Sequence, residues 1–223
     1  MILTEFRNAG LGEDLRAAQG QALSKGLAAL GQSVTEVQAD QLLQFLALLH
    51  RWNQAYNLTA VRDPLEMVPR HLLDSLSISP FLFGDRILDL GTGAGLPGLP
   101  LAICHPHRQF LLLDSNGKKI RFLRQVLLQL GLSNVSLSWE RMEQHVPSQP
   151  YSTIVSRAVA SLPQLTALAQ AHVQRSGRLL FMKGRFPAEE LEALTALSPR
   201  VHELRVPQLG EPRHLVEIPF TPA

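Results

Sequence analysis

A chain of 223 residues, 45% of them hydrophobic, can form one large domain or one domain with an extension, and its apolar content excludes a disordered tail. The formal charge of +2, a pI near 9.0 and eight histidines are compatible with a polyanionic partner without requiring one. The single cysteine, Cys104, excludes an intramolecular disulfide and a multi-cysteine metal cage.

No apolar run approaches the ~20 residues of a membrane span, and the opening stretch Met1–Gly10 lacks a basic leader followed by an apolar segment. The expectation is a cytoplasmic, soluble monomer with no membrane partner and no metal. The first third reads as helical. Glu13–Leu30 is rich in alanine and leucine, although Gly20 and Gly26 weaken a helix there. From Thr35, the predicted N-cap, to Tyr56, the residues Leu42, Phe45, Leu46, Leu49, Trp52 and Tyr56 form one stripe, with Gln41, Gln44, Arg51 and Asn53 off it. Asp63-Pro64 predicts a cap and a first-turn proline that open another helix, bent at Pro69.

After Pro80 the texture changes to short apolar runs, each followed by a turn and a helical pattern, as in repeated βαβ units. Strands are predicted near Arg86–Leu90, Phe110–Leu113, Val135–Trp139, Thr153–Ser156, Arg178–Met182 and Leu215–Phe220. Helices are predicted at Lys118–Leu130, Leu162–His172 and Pro187–Leu197. Right-handed crossovers then make an α/β, Rossmann-like, doubly wound, mostly parallel sheet over 80–223, preceded by a helical extension over 1–79.

The most informative stretch is Ile87-Leu88-Asp89-Leu90-Gly91-Thr92-Gly93-Ala94-Gly95-Leu96-Pro97-Gly98, a strand that runs into a glycine-rich turn and then a helix. Glycines let the backbone turn tightly and lie close to a ligand. The next strand ends in Asp114, about 20 residues on, where a carboxylate accepts hydrogen bonds from a ribose diol. Two registers fit. Gly93, Gly95 and Gly98 have the spacing of a dinucleotide site, which implies an NAD(P)-dependent oxidoreductase. Asp89, Gly91, Gly93 and Gly95 have the form that suits S-adenosylmethionine. Charge favours the second, because an acid at the strand's end repels a pyrophosphate and attracts a sulfonium and an ammonium. Glu143, after the third strand, is a second acid placed to contact adenine or its ribose, unless it is an ordinary surface residue.

Several residues carry two readings. Lys118, Lys119, Arg121 and Arg124 cluster on one helix, as an RNA-binding face or a solvated one. Lys183, ending a strand, and Arg213-His214, before the last strand, are better placed to hold phosphates at the sheet's active edge. A non-catalytic RNA-binding module would have no need of the cofactor turn. Arg157, at a strand's carboxyl end, offers a fork of donors to a carboxylate or a phosphate. His71 and Asp74 share a helix face but are too few for zinc, and read as a polar pair that docks the extension. Trp52 and Tyr56 could stack on bases but read rather as core, as does Cys104.

The words Asn57-Leu58-Thr59-Ala60-Val61-Arg62-Asp63, Arg70-His71-Leu72-Leu73-Asp74-Ser75, Gly91 to Gly98, Leu113-Asp114-Ser115, Ser156-Arg157-Ala158, Lys183-Gly184 and Arg213-His214-Leu215 together resemble the RsmG family, also called glucose-inhibited division protein B. The likeness runs from about Gln41 to the end. It implies a class I methyltransferase fold and cofactor contacts at Gly91, Leu96, Met142, Glu143 and Arg157. It also implies methyl transfer to N7 of one guanosine in the helix 18 loop of 16S rRNA, position 527, on free rRNA or the small ribosomal subunit. That chemistry agrees with the sequence. N7 of guanine has a lone pair and no proton, so proximity and orientation suffice and no acid–base pair is required. A C5-pyrimidine methyltransferase needs a cysteine nucleophile. Amino-group methyltransferases often carry an Asn/Asp-Pro-Pro-aromatic turn where this chain has Ser156-Arg157-Ala158.

Overall fold

The computed structural model describes residues 12–157 and 160–220; the opening stretch and Ala158 lie outside them. Helix α1 (Glu13–Ala29) and α2 (Glu36–Tyr56) come first. Thr35 caps α2 in a reciprocal box with Gln38, and Asn57 ends it in the left-handed conformation at φ 50°. Gly26, which weakens α1 locally, has a packing reason. A Cβ there would lie 2.2 Å from Leu73 Cδ1, so glycine lets α1 approach the segment that follows α2.

That segment differs from the expected bent helix. Asp63 Oδ1 accepts from Leu65 N at 2.8 Å, but the chain then makes turns and enters a π-helical stretch, Val68–Leu73, with Pro69 in its first turn. A proline has no N–H to donate and clashes with the α-helical ladder, so it starts the irregular stretch and does not kink a regular one. Helix α3 (Asp74–Leu76) continues it.

Strands β1 (Arg86–Leu90), β2 (Gln109–Leu113), β3 (Val135–Ser138), β4 (Tyr151–Arg157), β5 (Val173–Lys183), β6 (Arg200–Leu204) and β7 (Arg213–Pro219) form one sheet in the order β3-β2-β1-β4-β5-β7-β6. Pairing is parallel from β3 to β5, while β7 is antiparallel to both its neighbours. Between the strands lie α4 (Gly98–Cys104), α5 (Gly117–Leu130), α6 (Leu162–Ala169) and the short α7 (Ala188–Glu192).

Strand periodicity sends neighbouring residues to opposite faces. Ile87, Val155, Leu180 and Leu215 join one apolar cluster with α1 to α5, and Leu88, Ile154, Leu179 and Val216 join the other with α6. The N-terminal helices therefore share a core with the sheet. Several bounds differ from those expected, and one strand is added. Helix α6 stops at Ala169, because Val173 already pairs with Tyr151 ahead of a register shift in β5. The expected helix Pro187–Leu197 is five α-helical residues followed by a 3-10 turn, Thr195–Leu197. Strand β6 was not expected, since as an edge strand it buries only Leu204.

Candidate active site

The order of the strands reverses beside β1, which pairs with β2 on one side and β4 on the other. Ligands of open α/β sheets bind at the carboxyl ends of strands at such a point. Here the chain turns through Gly91 to Gly98 into α4. Gly91, Gly93 and Gly95 all have positive φ (67°, 62° and 88°), where a side chain is disfavoured. Thr92 N donates to Leu113 O at 3.0 Å, and Gly93 N to Asp114 Oδ2 at 2.9 Å, so the turn is tied to the end of β2.

In front of this turn is a cavity of about 640 Å³. Gly91, Gly93, Leu96, Asp114, Met142, Glu143 and Arg157 all line it, as do Leu90, Leu165 and Lys119. Asp114 is buried and also accepts from Asn116 N at 2.8 Å, while Lys119 Nζ stands 3.5 Å from its Oδ2. Met142 is buried in the wall and Glu143 is exposed at the rim.

Two residues expected at the cofactor lie behind the turn. Asp89 is fully buried, and its Oδ2 accepts from Thr92 Oγ1 at 2.6 Å and from Gly98 N at 2.8 Å. It braces the loop and does not line the cavity. Burial pushes its carboxyl up to about 6, against the hydrogen bonds from Thr92 and Gly98. Gly95 also faces inward: a Cβ would lie 2.4 Å from Leu99 Cδ1. Gly98 packs so tightly that a Cβ would meet Leu112 Cδ2 at 2.3 Å and Asp89 Oδ2 at 2.6 Å. The dinucleotide register thus loses its basis, because two of its three glycines serve helix packing. The first amide of α4, which a pyrophosphate would need, is already held by Asp89.

A second cavity, about 700 Å³, opens beside the first, and Arg157 lines both. Its wall includes Arg70, His71, Asp74, Lys183, Arg185, Glu211, Arg213 and His214. Arg157 Nη1 donates to Asp74 Oδ2 at 3.0 Å and to Arg70 O at 3.2 Å. Asp74 Oδ1 lies 3.5 Å from Arg213 Nε. His71 does not pair with Asp74. Its Nε2 is 3.0 Å from Thr59 Oγ1, and burial followed by the charge of Arg157 pushes the imidazole down to about 4.

The basic residues separate. Lys118 and Arg121 are exposed on the outer side of α5 and reach neither cavity, whereas Lys119, one step away in helical phase, faces the first. Lys183 lies in the second cavity, but both Glu190 carboxylate oxygens hold its Nζ at 2.9 Å, so its charge is already matched. Arg70 and Arg185 line the second cavity without any individual signal in the sequence, while Lys119, read as part of a basic helix face, and Asp74, read as one of a docking pair, line the first and second cavities respectively. Their sequence neighbourhoods were recognisable, but their shared location was not. Cys104 is partly buried in α4, and burial pushes its thiol up to about 12, far from a thiolate nucleophile.

Residues 38–216 match the model of the GidB family, described as rRNA small subunit methyltransferase G. The chain belongs to the GidB family. It is 50% identical over 198 residues to the ribosomal RNA small subunit methyltransferase G of Nitrosococcus oceani, covering 88% of this chain and 92% of that protein. To the protein of the same name from Aeromonas salmonicida it is 48% identical over 199 residues, covering 88% and 96%. Solved structures share the Rossmann-like methyltransferase fold at lower identity. A SAM-dependent O-methyltransferase from Thermotoga maritima superposes with a TM-score of 0.55 at 17% identity, covering 67% of this chain and 65% of that one. A tRNA (m1A58) methyltransferase, TrmI, from Aquifex aeolicus gives 0.55 at 15%, covering 68% and 69%. This GidB family member has no helix among its described residues that is long and apolar enough to cross a membrane.

Proposed function

We propose that this protein transfers the methyl group of S-adenosylmethionine to N7 of a guanosine in 16S rRNA, within the small ribosomal subunit or its free RNA. Membership of the GidB family supports the substrate class. The observation that carries the reading is the pair of cavities that meet at Arg157, one built by the glycine turn and Asp114, the other rimmed by cations.

The first cavity fits the cofactor by its donor set. Asp114 offers carboxylate oxygens at the end of β2 for a ribose diol, and Leu90, Met142 and Leu165 offer an apolar wall for a purine. Arg157 has five N–H donors, of which the contacts to Asp74 and Arg70 use Nη1, so it can also take a carboxylate. Bound there, S-adenosylmethionine supplies an electrophilic methyl group.

What remains for the chain is to hold and orient. Guanine N7 presents a lone pair and no proton, so the protein has no base to provide, and positioning alone can supply a large share of the barrier reduction. Burial makes the His71 imidazole a weak base, and Glu190 holds Lys183. Arg185, with no ion-pair partner among the described residues, gives the second cavity a positive rim suited to a phosphate, beside Arg70 and Arg213, which Glu66, Glu211 and Asp74 hold.

The test is transfer of tritiated methyl from S-adenosylmethionine to unmodified small ribosomal subunits, with the labelled nucleoside identified by chromatography. Label in 7-methylguanosine is expected. Label in another nucleoside, or in protein, would overturn the assignment.

A further inference from the structure

Exposed large apolar side chains are scattered singly over this surface, and among the aromatic ones Tyr56, Phe83 and Trp139 each have an evident local role. The Trp139 ring covers Gly117, where a Cβ would come within 2.7 Å of it, and its Nε1 donates to Ser115 O at 3.1 Å. Tyr56 packs on Trp52 with centroids 5.2 Å apart, and Phe83 lies under the Arg178 guanidinium at 5.1 Å. Phe186 is different. It is 57% exposed, and its one aromatic contact among the described residues is His214, at 5.7 Å and 77°.

Its position is also particular. Phe186 follows Arg185 in the loop between β5 and α7, and both Arg185 and His214 line the second cavity. Of the five cationic side chains on that cavity, Arg157 and Arg213 are held by Asp74, Arg70 by Glu66 and Glu211, and Lys183 by Glu190. Among the described residues Arg185 has no ion-pair partner, whereas Lys183 is held by Glu190. The exposed part of the ring, beside the unpaired Arg185, adds nothing to folding. It does have a use in holding single-stranded nucleic acid, where successive bases stack on aromatic side chains while cations track the phosphates.

We propose that Phe186 is a stacking platform for an unpaired base of the acceptor RNA strand, with Arg185 taking a flanking phosphate. The proposal rests on the reading of the neighbouring cavities as an rRNA methyltransferase site. The His214 ring stands nearly perpendicular to Phe186 and so does not stack parallel on it. Stacking of this kind tolerates sequence, so Phe186 contributes affinity and register, while the shape of the cavity chooses the target.

The experiment is steady-state methyl transfer to unmodified small ribosomal subunits at several salt concentrations, comparing wild type, Phe186→Ala and Phe186→Trp, with cofactor affinity measured by calorimetry. Loss of one stacked base is worth about 5- to 100-fold. The expected result is a KM for RNA raised within that range in Phe186→Ala and restored in Phe186→Trp. The salt dependence and cofactor affinity stay at wild-type values, because an uncharged ring outside the first cavity is changed. A KM within twofold of wild type in Phe186→Ala, a loss that Trp does not restore, or a flattened salt dependence would each overturn stacking. If wild-type protein transfers no methyl to RNA, the underlying reading fails, and the wild-type control alone reveals it.

Discussion

Asp74 and Arg157 are 83 residues apart in the chain and 3.0 Å apart in the structure, and the arginine they place is the one side chain that lines both cavities among those named here. The Asp74 side chain is 5% exposed, and it faces Arg213 on its other oxygen. Removing one partner of a buried pair leaves an uncompensated charge, which costs about 3–5 kcal/mol. Arg157 remains partly exposed, so the lower end applies to Asp74→Ala. Urea denaturation should show a loss of about 3 kcal/mol, and calorimetry a weakened affinity for S-adenosylmethionine as Arg157 loses its anchor. Unchanged cofactor affinity would mean that Arg157 is positioned by Arg70 O alone.

The glycines of the turn should separate by variant. Gly98→Ala places a methyl 2.3 Å from Leu112 Cδ2, in a packed wall, and should cost about 1–3 kcal/mol of stability. At Gly93 a Cβ meets nothing nearer than Lys119 Nζ at 3.8 Å, so Gly93→Ala is limited to the strain of φ 62°, about 1–2 kcal/mol, and puts its methyl at the cavity. Cofactor affinity divided by the change in stability should therefore be hit harder by Gly93→Ala. Equal effects on both quantities would refute this division.

Two buried groups give opposed pH dependences. Folding lowers the His71 imidazole to about 4 from 6.5, so the folded state binds fewer protons between those values. Its contribution is present above pH 6.5 and lost as pH falls toward 4. Folding raises the Asp89 carboxyl to about 6 from 3.8, so its contribution is present below that lower value and lost as pH rises through 6. Each amounts to roughly 3 kcal/mol at the end of its window. Relative to wild type, His71→Gln should gain stability on acidification and Asp89→Asn should gain it on alkalinisation. Melting temperatures from pH 4 to 7.5 check both, and a variant-minus-wild-type difference independent of pH would count against the burial argument.

Glu190 holds Lys183 and also accepts from Leu162 N. Glu190→Gln keeps an acceptor for the amide and releases the cation toward the second cavity. Binding to single-stranded RNA should tighten, and the slope of log affinity against log salt should steepen by about 0.7, one phosphate. An unchanged slope would show that Lys183 does not face RNA even when released.

The glycine turn, the N-cap of α2 and the apolar runs of β1, β4, β5 and β7 were legible because each is a local matter of sterics or composition. Less was legible where distant segments decide. Strand β6 pairs through its backbone, and its sequence carries one buried residue, so no alternation marks it. The π-helical stretch around Pro69 packs against α1, an approach that Gly26 permits and that neither segment's sequence shows alone. The acid at position 89 was recognised, but its role was misjudged, since charge alone favours a cofactor contact while burial turned the carboxylate inward to Thr92 and Gly98.

What the amino-acid sequence by itself determined is the sheet with its glycine turn, because positive-φ turns and two-residue periodicity follow from backbone sterics within a few residues. Which charges confront a ligand was decided only by the tertiary structure. Lys119 was brought to the cavity, Lys183 was given to Glu190, and Arg157 was fixed by Asp74. The physical reason is that the effect of a charge is set by the partners and the dielectric around it, and these come from segments far apart in the chain.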